Sequence, residues 1–180
     1  MITDLVDLRL FSERQNQREE IRMTEFNEIA VEASEAFMKD IASGWAVMSR
    51  YYADVITIDH VPPEPTDGPV AAAAAAAYMQ DSAVALNKLK DFSCSNEIRA
   101  EGQQIILDSA QSFVGVDGEP VTFHGQLVYQ FENGRVVRLV STDEPATHPQ
   151  LVQAVTAVGG VGPSPWRDRD EYPPVQAPPE

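Results

Sequence analysis

The order of apolar patterns along the chain predicts an α+β fold, with helices covering one face of a curved antiparallel sheet. Three features carry that prediction. Apolar residues recur at helical spacing in the first third of the chain, and alternate with polar ones through consecutive strand-length runs in the second half. Between the last two runs, Asn133-Gly134 is the signature of a tight hairpin turn. Residues 1–22 open with Leu5, Leu8, Leu10 and Phe11 and then turn polar, which reads as a weakly amphipathic helical arm. Thr24 is a candidate N-cap, and Phe26, Ile29, Ala30, Ala33, Phe37 and Ile41 predict a helix over about 24–42. Ser43-Gly44 is expected to break it, and a short helix follows with Trp45, Met48, Tyr51 and Tyr52 as its large side chains.

Val55–His60 is the first strand, and the cluster Pro62, Pro63, Pro65 and Gly68 is a loop. Pro69 suits a first helical position, and the alanine-rich run to Tyr78 and Met79 has high helix propensity. A further helical piece covers Ser82 to Lys90. Strands are then expected at about 91–100, 104–116 and 121–131, joined through Glu101-Gly102 and Val116–Pro120, and the hairpin leads to the last strand at 135–143. Beyond Pro145 only Leu151 to Val158 suggests a helical turn or two, and six prolines within 159–180 favour an extended tail. The chain thus divides into an arm (1–22), a globular domain (23–145) and a Pro/Gly-rich tail (146–180).

At 180 residues the chain suits one domain with a real core. Its net charge of −15 argues against nucleic acid and anionic membrane surfaces as partners. No run approaches the ~18 apolar residues of a membrane span. With no charged segment leading into an apolar one at the N-terminus, a cytoplasmic location is expected. The single cysteine, Cys94, excludes an intrachain disulfide and a cysteine-based metal site. It alternates in step with Phe92 and Ile98, which reads as a buried, inert thiol.

Chemically pointed residues are few. His60 shares a face with Ile56 and Ile58, so it should face inward, and its imidazole suits proton transfer near neutral pH. On the last strand Val137 and Leu139 are followed in phase by Ser141 and Asp143, a row that runs out of core and into a pocket. A carboxylate at Asp143 would orient the His60 ring. Asp59 is expected on the outer face, His124 alternates with Thr122 and Gln126 away from the apolar row, and His148 falls in a loop. The three histidines lack metal-ligand spacing, so no metal is expected. Trp45, Tyr52, Tyr78 and Tyr129 are expected to line the pocket or the core beside it.

The segments Ala36–Trp45, Tyr52–His60, Gly68-Pro69-Val70 with Ala77-Tyr78-Met79, and Phe131–Val137 resemble the nuclear-transport-factor-2-like superfamily, in particular its SnoaL-like and ketosteroid-isomerase-like branch. The resemblance covers about residues 24–145 and implies a cone-shaped sheet whose open end holds an apolar pocket, often in a homodimer. It also places family positions on this chain. The general-base carboxylate of ketosteroid isomerases falls on His60, their oxyanion-binding tyrosine on Phe37 and their oxyanion-binding acid on Leu127. That steroid mechanism is therefore not implied, and Phe37 and Leu127 are expected as ligand contacts. The aspartate that SnoaL-like cyclases and limonene-type epoxide hydrolases keep after the hairpin falls on Ser141, two residues before Asp143. The expectation is a cofactor-free isomerase, cyclase or lyase acting on an apolar carbonyl or polyketide-like metabolite, with His60 and Asp143 as its acid–base pair. The other reading is a non-catalytic ligand-binding or protein-interaction module.

Overall fold

The computed structural model describes residues 24–63 and 67–160. The expected arm, most of the proline-rich tail and the centre of the proline loop lie outside these residues.

Two helices open the described chain, α1 over 24–39 and α2 over Ile41–Ser49. The break falls at Asp40 and not at Ser43-Gly44, for a physical reason: Asp40 is the N-cap of α2. Its Oδ1 accepts from the Ser43 backbone N–H at 2.7 Å and its Oδ2 from the Ser43 hydroxyl at 2.8 Å. Gly44 serves packing. A Cβ there would lie 2.1 Å from Cγ of Phe37, so its lack of a side chain is what lets the α1 ring press against α2.

Among the described residues six strands form one open, curved sheet: β1 (Tyr52–Val61), β2 (Gly68–Ala71), β3 (Ser93–Glu101), β4 (Gln104–Val114), β5 (Pro120–Glu132) and β6 (Arg135–Asp143), in the order β2-β1-β6-β5-β4-β3. Neighbours are antiparallel except β1 and β6, which are parallel. The β5–β6 turn is the expected hairpin, with positive φ at both Asn133 (51°) and Gly134 (76°), the geometry that favours these two residue types.

Tyr51 and Tyr52, expected in the short helix, lie instead in the turn after α2 and at the start of β1. Two further sequence expectations fail in the sheet. Pro69 does not start a helix; it lies in β2, opposite Thr57, on an edge strand where its missing N–H is tolerated. Helix α3 therefore begins at Ala72 and runs unbroken to Leu86, joining what the sequence divides into two pieces. The second failure is at Val137. The register between β5 and β6 slips after Phe131↔Val136, so that Gln130 faces Arg138. The resulting irregularity buries Val136 completely and leaves Val137 half-buried, while Leu139 keeps its inward direction.

The core lies between the helices and the concave face of the sheet, around Tyr129, Met48, Ile56, Ile105, Leu139 and Val136. Phe26 of α1 meets Phe131 edge to face at 5.1 Å. A last helix, α4 (His148–Ala157), starts earlier than expected, with Thr147 at the N-cap position and Pro149 in the first turn. Its Ala154 is buried in the core. Among the described residues no helix is long and apolar enough to cross a membrane.

Candidate functional site

Strand register sorts the inward side chains into rows across the sheet. One row, Ile58, Leu139, Tyr129 and Ile105, is apolar apart from one phenol. Two residues further along the strands the row reads His60, Ser141, Leu127 and Leu107. The next reads Asp143, Gly125, Ser109 and Asn96. Polarity thus rises along the same strands, and a partly open cavity of about 160 Å³ sits over the last two rows. Its other walls are Phe37 and Trp45 from α1 and α2, Tyr78 and Met79 from α3, and Leu151 and Val155 from α4.

His60 lines this cavity, and its Nδ1 lies 2.6 Å from Oδ1 of Asp67. Both side chains are largely buried, 12% and 19% exposed. Asp67 reaches His60 because β1 and β2 pair antiparallel, with Gly68 opposite Ile58, so the residue before β2 lies beside the end of β1. The expected partner, Asp143, is engaged elsewhere. Its Oδ2 lies 3.7 Å from Nε2 of His148, and its Oδ1 accepts from the Ser141 hydroxyl at 3.4 Å. His148 is no loop residue: it is the first residue of α4, faces the cavity, and packs its ring near Phe123 at 6.2 Å. The site therefore holds two histidine–aspartate pairs, where the sequence suggests one pair of different composition.

Phe37, Trp45, Tyr52, Tyr78, Leu127 and Ser141 all line the cavity. Tyr129 does not. It is fully buried one row below, and burial holds its phenol well above the usual tyrosine range. Tyr52 is shifted the same way for the same reason, so both rings stay neutral phenols. Asp59 faces outward in an ion pair with Arg138 at 2.5 Å, and His124 lines a groove outside the cavity. Cys94 is half-buried, its thiol pKa raised by burial, and its Sγ donates to Asn96 Oδ1 at 3.4 Å. Among the described residues no group of three or more His, Cys, Asp or Glu is placed to hold a metal ion.

Sequence reasoning missed Asp67, His148 and Gln111. The signal for Gln111 was present: it interrupts the inward row Ile105, Leu107, Ser109, Phe113 of β4 with a long polar side chain that is only 7% exposed. Gly125 also contributes by having no side chain, since a Cβ there would stand 3.0 Å from the Phe123 ring and 3.7 Å from Asp143 Oδ1.

No protein-family model and no curated protein matches the chain. Solved structures do match its fold. A nuclear-transport-factor-2-like protein of unknown function from Cytophaga hutchinsonii superposes with a TM-score of 0.50 at 12% identity, covering 66% of this chain and 99% of its own. A candidate SnoaL-like polyketide cyclase from Jannaschia sp. gives 0.46 at 12% identity, covering 70% and 94%. An LEH-like epoxide hydrolase from M. tuberculosis gives 0.44 at 13% identity, covering 73% and 92%. The fold is nuclear-transport-factor-2-like.

Proposed function

We propose that the cavity binds an apolar, carbonyl-bearing small molecule and moves a proton on it by general acid–base chemistry, as in isomerisation, cyclisation or elimination. The observation that carries this reading is the His60–Asp67 contact at the wall of a largely apolar cavity. The Asp67 carboxylate accepts a hydrogen bond from Nδ1–H, a tautomer in which the ring keeps its lone pair on Nε2 as a base. Asp67 acts as a positioning residue, fixing the tautomer and the ring plane. On the other side of Ser141, the His148–Asp143 pair is a second group able to hold or return a proton. Donor and acceptor both come from side chains, so the proposed step needs no cofactor. The sequence resemblance implies an apolar pocket at the open end of the sheet, often in a homodimer.

The test uses 1-tetralone, an apolar ketone, and follows deuterium exchange at its α-carbon in D2O by proton NMR. The full-length protein is expected to accelerate exchange, and His60→Gln to lose about 10²-fold or more of that acceleration. Asp67→Asn should lose less and shift the pH profile, as a positioning residue would. Binding of 1-tetralone without accelerated exchange, or a His60→Gln rate within about twofold of the parent, would overturn the reading in favour of a binding module.

A further inference from the structure

Two residues of the cavity wall each carry a buried polar atom without a hydrogen-bond partner among the described residues, the indole Nε1 of Trp45 and the amide Oε1 of Gln111. Each residue is only 7% exposed. Buried polar groups are nearly always paired, because leaving one unpaired forfeits its interaction with water. Methionine would fill the position of Gln111 with almost the same shape and no such penalty, and phenylalanine would keep an aromatic ring at position 45 without a donor. Nor do the strands beside Gln111 offer a strong partner, since it stands in register between Phe123 and Cys94. Its neighbour Cys94 directs its thiol to Asn96 instead.

We propose that Trp45 and Gln111 form a polar subsite that selects a hydroxylated ketone, an apolar ring skeleton with a carbonyl and a hydroxyl at separate positions. The indole N–H only donates, so it calls for an acceptor such as the carbonyl oxygen. The amide of Gln111 accepts in one orientation and donates when turned over, and a hydroxyl is the ligand group that satisfies either. The cavity volume of about 160 Å³ is close to that of an engineered apolar cavity that takes up benzene (~150 Å³), and its open side admits a second ring. This inference rests on the ligand site proposed above and names the class of molecule it takes.

Calorimetry on the full-length protein with tetralin, 1-tetralone and 6-hydroxy-1-tetralone separates the contributions. Each added polar group is expected to tighten binding about 5- to 10-fold, the range of one neutral hydrogen bond. Trp45→Phe should abolish the gain from the ketone and keep that from the hydroxyl; Gln111→Met should do the reverse. Both variants are checked by thermal melting, and His60→Gln serves as the control that loses proton exchange but keeps the binding order. The proposal is overturned if tetralin binds as tightly as 6-hydroxy-1-tetralone, if both variants keep the parent's order because water alone serves the two atoms, or if none of the three compounds binds. An unchanged exchange rate in His60→Gln with an altered binding order in the other two variants would remove the proton-transfer reading and leave the subsite standing.

Discussion

The two ends of the concave sheet face are built from the same strands and differ in what fills them. At the closed end of the row through Ile58, Leu139, Tyr129 and Ile105, Tyr129 and Ile105 are completely buried in the core, while Ile58 and Leu139 border the cavity. Four residues further along, the corresponding positions carry Asp143, Gly125, Ser109 and Asn96, and the helices stand back far enough to leave a cavity. Strand alternation serves both ends equally. What differs is whether the facing layer supplies apolar partners, and where it does not, polar side chains are stable because they meet water, each other or a ligand.

That contrast predicts large stability effects at the closed end and small ones, even of opposite sign, at the open end. Ile105→Ala, at a fully buried site away from the cavity, should cost about 2–5 kcal/mol in urea unfolding. A cost under 1 kcal/mol would mean that the closed end is loosely packed. Gly44→Ala forces a methyl group into the Phe37 ring and should cost about 1–3 kcal/mol, while also shifting one wall of the cavity. Gln111→Met should instead raise stability by about 1 kcal/mol, because it removes a buried acceptor that the folded protein leaves unpaired. A measured loss of stability there would show that Gln111 is a structural residue.

The smallest effect is expected on the outer face of the sheet. Gln126 Nε2 donates to Asp108 Oδ1 at 2.7 Å and Arg99 pairs with the other carboxylate oxygen, so the Asp108 pKa lies below the usual carboxylate range. A carboxyl with a lowered folded pKa stabilises the fold above its unfolded pKa of about 3.9 and loses that contribution as pH falls through the lower folded value. Asp108→Asn should lower the melting temperature slightly near neutrality, and the difference from the parent should shrink as the pH falls below about 4. Because the side chain is 39% exposed, added salt should shrink the difference.

Much of this fold is written in local pattern. Alternation marks the strands because a pleated strand has a period of two, and Asn133-Gly134 marks the hairpin because its two positive φ values suit few other residues. The same alternation directs His60, Ser141 and Asp143 into the cavity without knowledge of any contact. Helix propensity was a weaker guide. Pro69 is compatible with both a helix start and an edge strand, and only pairing with β1 selects the strand.

The pairing within the site lay beyond local pattern altogether. Asp67 meets His60 because β2 folds back along β1, and His148 meets Asp143 because the turn from Glu144 to Thr147 swings the start of α4 over the end of β6. A side chain's direction follows from its own strand's period, so the chain alone determined that His60, Ser141 and Asp143 face the cavity. Its partner depends on where a separate element docks, which is set by the packing of the whole sheet and its helices.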